Sequence, residues 1–98
     1  MIIVTGHIVA KEGRLAEALA HSLEHVRRSR LEHGCVSHAV YQDTENPNRL
    51  FFFEEWADQA AVAAHFAVPA SQAFVRSLGE LATEAPRLSM YDASKLAR

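Results

Sequence analysis

Arg49-Leu50-Phe51-Phe52-Phe53-Glu54-Glu55-Trp56 is the stretch on which the fold turns. It is aromatic-rich and follows the turn-forming run Asp43-Thr44-Glu45-Asn46-Pro47-Asn48, so it reads as a strand. Strand side chains alternate, which puts Leu50, Phe52, Glu54 and Trp56 on one side and Phe51, Phe53 and Glu55 on the other. Both sides carry large apolar groups. The segment from about Ile2 to Ala10 behaves alike, with Ile2, Val4 and Ile8 on one side and Ile3 and Val9 on the other.

Working outward, Cys35 to Gln42 reads as the strand before the turn. Between the first two strands the period changes: Leu15, Leu19, Leu23 and Val26 recur at helical spacing, with Arg14, Glu17, His21, Glu24 and Arg28 on the opposite face. Gly34 is placed to stop this helix near Glu32. Asp58 suits the N-cap of a short Ala-rich helix reaching Phe66. Pro69 opens a further helix with Phe74, Leu78 and Leu81 on one face, and Pro86 ends it. Arg87 to Asp92 forms a last strand, and Ala93 to Arg98 is expected as a loose tail or one borrowed by a partner. The order strand, helix, strand, strand, helix pair, strand is that of a ferredoxin-like α+β fold with an antiparallel sheet. Helices of one chain cover one sheet face. The other face calls for a second copy packed sheet to sheet, so a homodimer is expected.

Composition bounds the function. Ninety-eight residues fit one domain, expected over 1–98, and a 49% apolar share with a net charge of −2 argues against disorder. A pI near 6.3 offers no electrostatic footprint for nucleic acid or an anionic membrane. Cys35 is the only cysteine, which rules out an intrachain disulfide. No secretory pattern and no apolar run near 20 residues is present, so a cytoplasmic protein is expected.

Six histidines invite a metal reading. His21-Ser22-Leu23-Glu24-His25 matches an H-x-x-E-H pattern, but on a face read as solvated and without an evident third ligand, so no metal ligand is assigned. Cys35 has no base placed beside it and reads as a small packing group. The Phe trio lacks the basic flanks of a base-stacking platform and reads as packing. Glu54 shares an apolar face with Phe52 and Trp56, where an unpaired carboxyl would tend upward in pKa; it is a candidate base or hydrogen-bond acceptor. Trp56 reads as core or as the wall of an aromatic-substrate pocket. His7, His38 and His65 are proton-transfer candidates wherever a cavity reaches them.

The residues Glu32-His33-Gly34-Cys35, Tyr41-Gln42-Asp43, Pro47, Glu54-Glu55-Trp56, Asp58, Ala61 and His65 resemble the motifs of the antibiotic biosynthesis monooxygenase family. These are its Glu-Pro-Gly-Cys turn, its Tyr-x-Asp strand end and its Glu-x-Trp-x-Asp-x-x-Ala-x-x-x-His run. The resemblance implies a ferredoxin-like chain that dimerises into an α/β barrel, with a pocket between sheet and helices in each half. It also implies oxidation of a small aromatic substrate by dioxygen without metal or flavin. Carried over by position, Glu54, Trp56 and His65 are motif residues, and His38 stands where many relatives have Tyr. His7 and Tyr91 are pocket candidates from strand parity and residue type. His33 departs from the family Pro, and Ala70-Ser71 stands where many relatives carry His-Phe. Gly6-His7 and Phe74-Val75-Arg76 occupy the places where the haem-degrading branch has its Asn and His.

The expected function is therefore a cofactor-independent monooxygenase of a quinol- or anthrone-like compound, with His65, His38 and Glu54 as catalytic groups. Phe52, Trp56, His7 and Tyr91 would line the substrate. The alternatives are an isomerase on the same scaffold, resembling muconolactone or phosphorylated-autoinducer isomerases, and a non-catalytic metabolite-binding dimer.

Overall fold

In the computed structural model, which describes residues 1–97, the chain runs β1 (Ile2–Val9), α1 (Leu15–Ser29), β2 (Cys35–Gln42), β3 (Arg49–Trp56), α2 (Gln59–Ala67), α3 (Pro69–Leu81) and β4 (Arg87–Asp92). The strands form one antiparallel sheet in the order β2-β3-β1-β4. This is the ferredoxin-like α+β arrangement. The register sets Val4 opposite Glu54 and Glu54 opposite His38, so one row of the sheet crosses three strands at the future site.

Alternation along β3 holds residue by residue. Leu50, Phe52, Glu54 and Trp56 are buried, while Phe51, Phe53 and Glu55 are half-buried on the face no helix covers. In β1, Ile2, Val4, Gly6 and Ile8 are buried and their neighbours half-buried. Two apolar clusters result. Ile8, Leu50 and Phe52 pack with Val26, Leu78 and Leu81, whereas Ile2, Val4 and Trp56 pack with Ala61 and Val62. Glu54 lies on β3 between the two.

Two helix ends differ from the expectation. α1 closes at Ser29, before Glu32, because after a last helical bond from Arg30 to the Val26 carbonyl the Leu31 and Glu32 N–H groups turn to the Arg28 and Ser29 carbonyls, three residues back. α3 closes at Leu81, not at Pro86, because Ala82 turns extended and bridges Ala10. Asp58 caps α2 as expected, accepting from the Ala61 N–H at 2.9 Å. Gly34 adopts φ +82° in the α1–β2 turn, and a Cβ there would meet the Ala61 side chain at 2.5 Å. Glycine thus lets α2 close onto the turn that carries Glu32.

The face of α1 is rotated from the one expected. Leu23 is 39% exposed, and the buried stripe is Ala18, Ser22, His25, Val26 and Ser29. Small and polar residues serve there because the serines satisfy themselves: Ser22 Oγ donates to the Ala18 carbonyl and Ser29 Oγ to the His25 carbonyl. His21 stays exposed, as expected, but His25 does not. The solvated-face reading of the H-x-x-E-H segment is therefore wrong for its second histidine. Residues 93–97 have no regular structure, although the Ala93 N–H is held by the Met1 carbonyl; Arg98 lies outside the described residues. Among the described residues no helix is long and apolar enough to cross a membrane.

Candidate active site

A cavity of about 480 Å³ lies between the sheet and the helices. Gly6, Ile8, Phe52 and Glu54 contribute from the sheet, His25 from α1, His65 and Phe66 from α2, and Ser71, Phe74, Val75 and Leu78 from α3. Its walls are mostly apolar, with Glu54, His25, His65, Ser71, Gln72 and Arg87 as polar groups, the composition expected of a small-molecule site. Gly6 keeps the sheet side shallow there: a Cβ on it would press on the Leu88 side chain at 2.8 Å.

The polar groups are held in place from behind. Glu32 Oε1 lies 2.9 Å from His65 Nδ1, and a carboxylate can only accept, so Nδ1 carries the proton and His65 Nε2 has the free lone pair. That Nε2 is 3.9 Å from Glu54 Oε1. Glu54 Oε1 also accepts from Trp56 Nε1 at 2.9 Å and lies 3.3 Å from His38 Nε2. Burial pushes the Glu54 carboxyl upward, but His38, the Trp56 N–H and His65 outweigh it, and the net shift is below the ordinary carboxylate range. The upward tendency foreseen for an unpaired carboxyl is thus reversed by its partners.

His25 stacks on Phe74 with ring centroids 4.0 Å apart and planes 6° from parallel. Burial, and then the neighbouring His38, His65 and Arg28, lower its pKa to about 3, so it is neutral at physiological pH. Ring nitrogens of His25, His38 and His65 lie within 4.8 Å of one another, all three residues being buried. Three imidazoles at this spacing are a possible ligand set for a divalent transition ion.

Of the residues expected at the site, His65, Glu54 and Phe52 line the cavity. His38 and Trp56 do not. His38 is packed behind the wall, its Nε2 turned to Glu54 Oε1 at 3.3 Å and its Nδ1 buried without a hydrogen-bond partner. Trp56 is fully buried, and the His65 ring covers its aromatic face at 4.5 Å, where a substrate ring would have had to lie. His7 borders the cavity along β1, but strand parity turns its side chain to the uncovered face beside its partner Phe51. Tyr91, paired with Ile3 and 53% exposed, borders a separate, more open groove of about 350 Å³ between β4 and α2. Cys35 is half-buried with its thiol pushed up by burial, in keeping with a packing role.

Sequence reasoning missed His25, Glu32 as an acceptor, and Ser71. Ser71 Oγ is buried at the cavity wall with no partner. For Glu32 a signal was present, since it and His65 both stand in the resembling motifs. For His25 the H-x-x-E-H pattern and the helical spacing from Ala18 and Ser22 were both signals, set aside because the small, polar residues made that face read as solvated.

Comparisons with known proteins agree with this fold. The family model of the antibiotic biosynthesis monooxygenases matches residues 1–77. An uncharacterised protein of Synechocystis sp. is 33% identical over 90 residues, 92% of this chain, and the chain spans 61% of that relative's length. A Deinococcus radiodurans structure classed with the antibiotic biosynthesis monooxygenases superposes with a TM-score of 0.93 at 23% identity, covering 100% of this chain and 97% of that one. A Shewanella oneidensis structure gives 0.84 at 27% identity, covering 92% and 87%. With its β1-to-α2 frame, its Glu32 turn and its Glu54-to-His65 run all inside the matched segment, the chain belongs to the antibiotic biosynthesis monooxygenase family.

Proposed function

We propose that the protein oxidises a small quinol- or anthrone-like aromatic compound with dioxygen, His65 acting as the general base. The observation that carries this reading is the Glu32–His65–Glu54 array at the wall of an apolar cavity. Glu32 fixes the tautomer that offers a lone pair, and when His65 takes a proton two carboxylates face the cation that forms. Phe52 and Phe74 supply apolar walls, and His38 and Trp56 hold Glu54 from behind. Deprotonation makes the ring electron-rich enough to reduce dioxygen. For an anthrone-like CH2 the balance is CH2 plus O2 giving C=O plus water, one oxygen atom entering the substrate. For a quinol, two electrons and two protons pass to dioxygen, giving quinone and hydrogen peroxide.

The working unit in this proposal is a homodimer of single-domain chains in the cytoplasm, joined through the uncovered sheet face, where Ile3, Phe51 and Phe53 are only half-buried. Oxygen consumption by the purified protein against a panel of quinols and anthrones tests the reaction. Replacing His65 with Ala is expected to lower kcat by about 100-fold or more, the usual contribution of a positioned base. Glu32→Gln is expected to cause a smaller loss. An isomerase is the second reading, because His25 can offer a hydrogen-bonding N–H opposite the base. It predicts exchange of substrate hydrogen with solvent deuterium and no oxygen uptake. Binding without either signal would leave a metabolite-binding dimer.

A further inference from the structure

His25 is pinned in the tautomer opposite to that of His65. Arg28 Nη2 lies 3.0 Å from His25 Nδ1. A guanidinium can only donate, so Nδ1 is the acceptor, and the ring, neutral because it is buried, carries its single proton on Nε2. Phe74 stacks flat against the ring and restrains its tilt, while the Arg28 contact favours this flip state. A cation bonded to one nitrogen draws electron density from the imidazole and makes the N–H at the other a stronger donor. Both residues line the cavity, which brings a polarised N–H on His25 near a lone pair on His65. The two ring centroids are 5.2 Å apart, and a nitrogen of one lies within 4.8 Å of a nitrogen of the other.

We propose that His25 is a catalytic hydrogen-bond donor and that, with His65, it selects substrates bearing two oxygens on adjacent carbons, an ortho-quinol head. Resting on the oxidation reading above, this narrows its substrate class. His65 Nε2 takes the proton from one hydroxyl, the O–H electron pair stays on that oxygen, and His25 Nε2–H binds the neighbouring oxygen as charge spreads onto it. The spacing makes the selection. Adjacent ring oxygens stand about one hydrogen-bond length apart, roughly 2.8 Å, so the His25 N–H and the His65 lone pair, on rings whose centroids are 5.2 Å apart, can engage one oxygen each. Para oxygens stand about twice as far apart, so the same two nitrogens would have to lie over the ring face.

The same tautomer argues against His25 as a metal ligand, although its nitrogens fall within the three-histidine spacing. A ligating Nε2 needs its lone pair, which requires the proton to move to Nδ1, directly against the Arg28 donor.

The test is anaerobic binding of 4-nitrocatechol, whose ionisation changes its colour, compared with its para isomer nitrohydroquinone. Both are titrated into the EDTA-treated protein. Binding of 4-nitrocatechol as the anion is expected, about tenfold or more tighter than the para isomer, as a charge-assisted hydrogen bond provides. His25→Phe, which keeps the stack on Phe74, should abolish the preference. Arg28→Gln should weaken it, and His25→Gln, which keeps an N–H donor, should restore part of it. Thermal melts identify any variant that fails to fold, and Arg28→Gln, altering a partly exposed side chain, keeps the proposal falsifiable if His25→Phe does not fold. Equal affinity for the two isomers, or a preference that survives in folded His25→Phe, would overturn it. So would tight uptake of cobalt with tetrahedral absorption bands that His25→Phe removes. Since no oxygen is consumed, the proposal can fail while the oxidation reading stands, and the converse.

Discussion

The two faces of the sheet are built from similar residues and behave differently. On the face under the helices, Leu50 and Trp56 of β3 and Val4 of β1 are fully buried, and a charged group, Glu54, is buried among them. On the opposite face, Phe51 and Phe53 stop at half-buried, with Tyr41 57% exposed nearby on β2. Strand alternation distributes Phe and Leu evenly; the helices then choose which set becomes core. The covered face can hold a carboxylate because its surroundings bring partners, Trp56 Nε1 and two histidines, along with the burial. On the bare face Glu55 accepts from Ser37 Oγ at 2.7 Å, and the half-buried Ile3, Phe51 and Phe53 beside it lie under no helix.

The sharpest way to break the comparison is to truncate the matching aromatics. Trp56→Ala removes the fully buried ring that packs with Ile2, Val4 and Val62 and donates to Glu54. It is expected to cost about 3–5 kcal/mol in urea denaturation. Phe53→Ala, at micromolar dilution where a dimer contributes least, is expected to cost about 1 kcal/mol or less. Equal costs would mean that the bare face is as well covered as the other. A second change on that face, Phe53→Glu, is expected to halve the mass seen in light scattering, since a charge pressed into an apolar interface is left unpaired. An unchanged mass would show that the copies do not meet there.

Acid separates the faces as well. His25 is held neutral with a pKa near 3 against an ordinary value of 6.5, so its contribution to stability is complete above pH 6.5. It declines as the pH falls toward 3, with a slope of about 1.4 kcal/mol per pH unit for one proton. Glu54, shifted downward, adds a loss in the same direction, present above its ordinary value near 4.5 and removed as the pH falls through its lowered one. Urea midpoints from pH 7 to 4 should therefore fall, and His25→Phe should flatten the upper part of that slope. A wild-type profile level between pH 6.5 and 5 would contradict the neutral, buried His25.

How much of this was legible in the chain follows the same division. The period-2 pattern of β1 and β3 sets faces directly, so the sheet, the element order and the position of Glu54 beside Phe52 were readable. The cap at Asp58 was readable because one side chain serves one N–H. The face of α1 was not, because Ser22 and Ser29 bond to their own helix and can be buried without an apolar signature. Leu23 in turn drew the stripe toward solvent. His25 was lost with that rotation. Trp56 and His38 were recognised as important but given contact with substrate, because parity tells which face a side chain takes and not which neighbour lies over it. Only the packed structure shows His65 lying on the Trp56 ring.

Ser71 gives the smallest effect and the finest comparison, since it pits one orphan hydroxyl against the satisfied polar groups around it. Its Oγ is buried at the cavity wall without a partner, whereas Ser22 and Ser29, equally buried, each donate to a carbonyl. Removing a satisfied hydroxyl costs about 1 kcal/mol, while removing an unsatisfied one relieves a desolvation penalty of similar size. Ser71→Ala is therefore expected to leave stability unchanged or raise it slightly, and Ser29→Ala to lower it. The residue lines the cavity wall, so a bound substrate is the candidate partner for its hydroxyl. Ser71→Ala should accordingly weaken 4-nitrocatechol binding a few-fold while the melting temperature holds or rises. A lower melting temperature with unchanged binding would show instead that Ser71 is a packing group.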